Sequence, residues 1–229
     1  MPARRAPGRS SESVDNYLKA ILSLGGPEER RVTSKCLADK LGVAMASVTN
    51  MLQKLAAASP SLVEYERHRG VLLSASGKRR ALEIVRHHRL IETFLYEILD
   101  YPIEEVHDEA ERLEHFISER FEERIAAKLG HPSIDPHGHS IPTLEGDMPQ
   151  QDSIPLTDVV DRGNFVIESI SDRDARTLKF LEANGVAPGV RLRVRKQTAK
   201  EGYSVHIGRS PKVLAISRLR AREVRVLPE

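Results

Sequence analysis

The sequence predicts a mainly α-helical chain with a β-rich end: an N-terminal winged helix-turn-helix, a helical middle segment and a C-terminal small β-barrel. Three observations predict it. Apolar residues recur at helical spacing through residues 11–129. Two β-prone runs, 62–66 and 70–73, interrupt that pattern as a pair. Five short strand candidates crowd the region after residue 156.

Residues 1–10, made of Pro, Arg, Gly and Ser around Met1 and two alanines, read as a flexible basic arm. Ser11 to Leu24 reads as a helix, with Val14, Tyr17, Leu18, Ile21 and Leu22 on one face, and Gly25-Gly26-Pro27 ends it. Thr33 is an N-cap candidate for a short helix whose face is Leu37, Ala38 and Leu41, and Gly42 supplies the turn. A second helix, about Ala44 to Ala57, buries Val48, Met51, Leu52 and Leu55. Its outward face carries Ser47, Thr49, Asn50, Gln53 and Lys54, short hydrogen-bonding groups and a cation suited to base edges and phosphates. The β-prone pair flanks Arg67-His68-Arg69, a hairpin with a basic tip, which completes a winged helix over 11–74 with Arg67 and Arg69 as further DNA contacts.

Residues 75–99 continue as a helix marked by Leu82, Val85, Leu90, Phe94 and Leu95, which Tyr101-Pro102 breaks. Residues 103–129 read as one more helix, with Val106, Leu113, Phe116, Ile117, Phe121 and Ile125 on its stripe. Two such amphipathic helices are expected to bury their stripes against a second copy of the chain, so 75–140 is assigned to dimerisation. A Pro- and Gly-rich stretch leads into a linker at 141–155, and the small β-barrel occupies 156–229.

The formal net charge is only +2, but it is segregated. Residues 1–95 hold 16 Lys+Arg against 9 Asp+Glu, residues 96–147 hold 4 against 14, and residues 148–229 hold 15 against 10. A basic block before an acidic block suggests a polyanion-binding unit joined to a cation-binding one. A single cysteine, Cys36, excludes an internal disulfide framework and any multi-Cys metal site; it is read as a core or semi-buried residue of a protein from a reducing cytoplasm. No run approaches the roughly 18 apolar residues of a membrane span.

The acidic block holds the candidate ligands. His107, Glu111, Glu114 and His115 are spaced to share one helix face, and His88 and Glu92 stand four apart on the helix before. Glu and His at such spacings build metal sites between packed helices. Oxygen and nitrogen donors without thiolate suit Mn²⁺ or Fe²⁺. Glu111-Arg112-Leu113-Glu114-His115 is close to the inverted zinc-protease pattern but begins with Glu rather than His, and no nucleophile elbow or phosphate loop accompanies it, so no enzyme is expected. Pro and Gly neighbours make His131, His137 and His139 structural loop residues.

These segments together resemble the DtxR/MntR family of metal-dependent transcriptional repressors. The resemblance is carried by Val106 to His115, by His88-Arg89-Leu90-Ile91-Glu92, and by Gly130-His131-Pro132 through Asp135-Pro136-His137-Gly138, with Phe180 to Gly189 similar to the FeoA-type pattern. It implies a helical dimerisation and metal-binding domain, an SH3-like C-terminal domain, a homodimer on a double-stranded DNA operator, and repression of metal homeostasis genes. Glu111, Glu114 and His115 fall on the family's primary metal site, and Glu111 stands where manganese-type members carry Glu, which implies Mn²⁺, with Fe²⁺ the alternative. His88, Glu92 and His107 fall on the second site, to which Asp172 and Asp174 are added as acidic ligands from the SH3-like domain. Asn16 stands where Met or Asp is usual, and Lys19 where some manganese-type members have a second carboxylate. Two other readings of the same features are a winged-helix regulator answering to a non-metal ligand and a metal-binding adaptor.

Overall fold

The structure is a computed structural model, which describes residues 9–149, 152–160, 162–198 and 202–229. The backbone forms two compact units. Unit 1 comprises the chain up to His88, Glu111–Glu123 and Pro142–Met148; unit 2 comprises Arg89–Ala110, Arg124–Ile141 and Pro149–Glu229. The first eight residues of the basic arm lie outside the described residues, and Arg9 and Ser10 already belong to a helix.

In unit 1, α1 (Arg9–Gly25) buries Val14, Tyr17, Leu18 and Ile21. Thr33 caps α2 (Ser34–Leu41), its hydroxyl accepting from the Cys36 N–H at 3.2 Å. Gly42 ends that helix in the left-handed region at φ 65°. The turn aims α3 (Met45–Ala56) so that Val48, Leu52 and Leu55 enter a shared core with Leu37, Val63 and Val71. Each such side chain contributes about 1.5–3 kcal/mol of burial. The hairpin β1 (Val63–Glu66) and β2 (Gly70–Leu73) is antiparallel, with Val63 opposite Leu73 and Glu66 opposite Gly70. Gly70 has φ 97°, and a Cβ there would stand 2.6 Å from the Val32 carbonyl oxygen, so glycine is required where α2's approach strand meets the wing.

Cys36 is exposed, against the expectation of a core or semi-buried residue. Leu37 and Ala38 take the buried face of α2, and the residue before them is turned away by the helical rotation.

The long helix α4 (Ala75–Leu99) is continuous, as expected. The single helix predicted over 103–129 is instead two, α5 (Ile103–Leu113) and α6 (Glu119–Lys128). Ser118 starts the second, its hydroxyl accepting from the Phe121 N–H at 3.3 Å. The apolar stripe carried on through the break, so periodicity alone could not see it. Glu114 and His115 consequently sit in the turn after α5 rather than on it.

In unit 2, Leu90, Ile125, Ala126 and Ile141 make a small core. The C-terminal part is a six-stranded antiparallel sheet ordered β3-β8-β4-β5-β6-β7. Its strands are β3 (Ile154–Pro155), β4 (Gly163–Ile170), β5 (Arg191–Thr198), β6 (Gly202–Ile207), β7 (Val213–Ile216) and β8 (Val224–Pro228), with α7 (Ala175–Ala183) and α8 (Arg218–Ala221) between them. Alternation places Phe165, Ile167, Leu192, Val194, Tyr203, Val205 and Val226 in one core with Leu178 and Leu181 of α7. The loop before the sheet is docked on β4: the Ile170 N–H donates to the His137 carbonyl at 2.9 Å.

Candidate metal centre

Unit 1 gathers acidic and basic side chains from α1, α4, the last turn of α5 and the turn after it. His88 Nδ1 lies 2.6 Å from Glu114 Oε2, and His88, Glu111 and Glu114 offer donor atoms within 4.8 Å of one another. Glu114 is fully buried. On the same oxygens sits Lys19: its Nζ is 2.8 Å from Glu111 Oε1 and 2.7 and 2.8 Å from the two oxygens of Glu114. Burial alone would lower the Lys19 pKa, but Glu114 and Glu111 outweigh it and hold the ammonium charged. His115 Nε2 lies 3.1 Å from Asn16 Oδ1 and 3.2 Å from Glu114 Oε1. The neighbouring Asp15 accepts from Arg80 at 2.5 Å. Burial would raise the Asp15 carboxyl, yet His115 and Arg80 beside it keep it below its ordinary value.

One residue before His88, His87 spans from the Glu114 carbonyl at 3.2 Å to Glu122 Oε2 at 2.9 Å. Arg86 donates to the other oxygen of Glu122 at 2.5 Å. This pair fixes the turn that presents Glu114.

Unit 2 holds a second set. His107 Nδ1, on α5, is 3.3 Å from Glu92 Oε1, on α4, and 3.3 Å from Asp172 Oδ2, in the turn after β4. Burial would lower the His107 imidazole; Asp172 and Glu92 outweigh it and raise it to about 10. Burial would raise the Asp172 carboxyl, and the His107 partner turns that into a lowering. His137 Nδ1 approaches Glu92 Oε2 at 3.8 Å. His137 is fully buried, and neither of its ring nitrogens makes a hydrogen bond.

The loop that presents His137 is built by Asp135. One oxygen accepts from the backbone N–H groups of His137 and His139, each at 2.9 Å. Asp135, His137 and His139 form a third group of donors within 4.8 Å of one another. Gly138, at φ 88°, lies against β4 so closely that a Cβ would stand 2.1 Å from the Glu168 carbonyl oxygen. His137 and His139, expected as structural loop residues, thus also bring two imidazoles beside a carboxylate. The signal that could have found them is Asp135-Pro136-His137-Gly138-His139, two imidazoles beside a carboxylate and a glycine that permits close approach.

The expected ligands are therefore distributed as follows. Glu111 and Glu114 come together with His88, and His115 with Asn16 and Glu114. Glu92, His107 and Asp172 come together in unit 2. Asp174 is used otherwise: it caps α7, accepting from the Arg176 N–H at 3.2 Å and the Thr177 hydroxyl at 2.6 Å. Of the expected DNA contacts, Ser47, Asn50, Gln53, Lys54, Arg67 and Arg69 are exposed. Thr49 is half-buried and its hydroxyl donates to the Met45 carbonyl at 3.1 Å.

The donor chemistry of the unit 2 set fits a divalent ion. It combines buried carboxylate oxygens with imidazole nitrogens, and a buried imidazole lacking hydrogen bonds is the atom such an ion would satisfy. The unit 1 set has the same donor types, but a lysine ammonium already contacts its oxygens.

Three family models match the chain. Residues 10–71 match the iron dependent repressor N-terminal DNA binding domain, 74–143 its metal binding and dimerisation domain, and 154–228 the FeoA domain. The iron-dependent repressor IdeR of Mycobacterium tuberculosis is 33% identical over 135 residues, 58% of this chain and 56% of that protein. The chain thus spans little more than half the length of the curated mycobacterial relatives it matches. The HTH-type transcriptional regulator MntR of Oceanobacillus iheyensis is 34% identical over 114 residues, 49% of this chain and 74% of that one. Among solved structures, a manganese-dependent transcriptional repressor in complex with manganese aligns at a TM-score of 0.85 and 36% identity, covering 94% of this chain and 100% of the other.

Proposed function

The chain belongs to the iron-dependent repressor family, and from that premise we propose that it is a metal-dependent DNA-binding repressor of metal homeostasis genes, working as a cytoplasmic homodimer. The ion proposed is Mn²⁺, with Fe²⁺ the alternative. The observation that carries the reading is the unit 2 donor set, where Glu92, His107 and Asp172 meet and a buried His137 has both ring nitrogens unsatisfied.

A divalent ion supplies there a positive charge that donors from separate segments can share. Glu92 would hold it from α4, His107 from α5, Asp172 from the turn after β4 and His137 from the docked loop. Glu111, Glu114, His115 and Asn16, with His88, are the donors proposed for a second ion. None of these donors is sulfur, which favours a harder ion than a thiolate site would select.

On the DNA side, winged-helix docking puts α3 in the major groove. Asn50 and Gln53 are proposed to read base edges, Ser47, Thr49 and Lys54 to meet phosphates, and Arg67 and Arg69 to follow the backbone from the wing. Leu113, Phe116 and Phe121 are 38%, 60% and 50% exposed in unit 1, an apolar surface proposed to be covered by the second copy. The domain division proposed is 11–74 for DNA, 75–140 for metal and dimerisation, 141–155 as linker and 156–229 as the SH3-like domain.

Selection of bound duplexes from a random pool, with Mn²⁺ present, tests the reading. Enrichment of a two-fold site with half-sites about one helical turn apart supports it. Recovery of unselected sequence contradicts it.

A further inference from the structure

Lys19 has no place in the ligand sets just described, yet it makes three close contacts to carboxylate oxygens in the unit 1 cluster. Its ammonium bridges one oxygen of Glu111 and both oxygens of Glu114 at 2.7 to 2.8 Å. Three carboxylate oxygens from two residues converging on one cation is what a divalent ion would otherwise provide there. The contact is not a loose surface pair: the Lys19 side chain is 18% exposed and that of Glu114 is fully buried. Without a cation, two carboxylates would be left side by side with one of them out of water. Two neighbouring polar residues of α1 make other contacts, Asp15 with Arg80 and Asn16 with His115.

Resting on the function proposed above, we propose that Lys19 is a tethered cation that holds the Glu111–Glu114 cluster closed to a divalent ion at the concentrations that fill the unit 2 set. The clamp on α1 is then part of the chain itself, and the supply of metal is read in unit 2. An ion can enter the unit 1 cluster only when the ammonium leaves, because the two like charges would compete for the same oxygens at contact distance.

Mn²⁺ titration of the full chain, followed by calorimetry and by the electron spin resonance of free Mn²⁺, tests this. In the wild type the ion taken by the Glu111–Glu114 cluster binds at least tenfold more weakly than the ion taken by unit 2. Lys19→Gln tightens that weaker step tenfold or more. Adding Glu111→Gln to Lys19→Gln abolishes the tightened step. Two steps of equal affinity in the wild type, or a weaker step unmoved by Lys19→Gln, overturns the proposal. A wild-type crystal soaked in one equivalent of Mn²⁺ gives a readout that does not depend on the variant folding. Anomalous density among Glu92, His107 and Asp172, with Lys19 still on Glu114, supports the clamp; density on Glu111 and Glu114 overturns it. Operator affinity indifferent to Mn²⁺ would count against the proposed function instead, while the ion steps still decide the role of Lys19.

Discussion

His137 Nδ1 faces Glu92 Oε2 at 3.8 Å, and both side chains are completely shielded from solvent. Neither ring nitrogen of His137 makes a hydrogen bond, although a buried polar group left in that state costs about 1–3 kcal/mol. Burial would lower the imidazole, while Glu92, Asp135 and Asp172 outweigh it and raise it. The native fold thus keeps a buried imidazole there with no hydrogen bond to its ring, beside the 3.8 Å charge contact with Glu92.

His137→Ala should accordingly reduce Mn²⁺ affinity tenfold or more, about 1.4 kcal/mol. Unfolding in the presence of chelator should shift by less than about 2 kcal/mol, because no native hydrogen bond of the ring is lost. Calorimetric titration and denaturant unfolding give the two numbers. Wild-type Mn²⁺ affinity in this variant would remove His137 from the ligand set.

Gly138→Ala tests how the loop is held. The residue has φ 88°, and the new Cβ would meet the Glu168 carbonyl at 2.1 Å. The backbone strain alone costs about 1–3 kcal/mol, and relieving the clash requires the loop to lift from β4. That movement would break the Ile170-to-His137 backbone bond and carry the imidazole away. Stability and Mn²⁺ affinity should both fall; a variant with both at wild-type values would show the loop is not positioned this way.

The two exposed residues Asn50 and Lys54 of α3 should behave differently on DNA. Asn50→Ala should cost about 1–3 kcal/mol on the preferred duplex and relax selectivity at one base position. Lys54→Ala should weaken all duplexes alike and reduce the salt slope by about one. Salt titrations on preferred and random duplexes separate the two. Equal loss on both duplexes for Asn50→Ala would mean that it does not read a base.

Much of this molecule is legible in its residues. Thr33 and Gly42 bracket α2 because one side chain satisfies an end N–H and the other residue tolerates positive φ. The alternation of Leu192 and Val194 with arginines marks β5 because only one face of that strand is buried. The break between α5 and α6 was hidden because the apolar period runs through it, and its sign is the single capping residue Ser118. The pairing of Glu92 with His107 followed from helix spacing plus antiparallel packing. That Asp172 rather than Asp174 joins them did not, since two acids two residues apart look alike until one is seen capping α7. The burial of His137 is not legible because a Pro- and Gly-rich stretch looks irregular, and it depends on docking against a strand more than thirty residues away. Lys19 was visible as a departure, but only the folded chain brings it onto Glu111 and Glu114.

Occupancy by a divalent ion is expected to govern DNA binding. Fluorescence anisotropy on a duplex recovered by selection measures it directly, with the full chain in Mn²⁺, in Fe²⁺ under anaerobic conditions, and in excess chelator. Affinity higher by tenfold or more with Mn²⁺ than with chelator, a coupling within the usual allosteric range of about 1–3 kcal/mol, is the predicted result. One affinity common to all three conditions would contradict it.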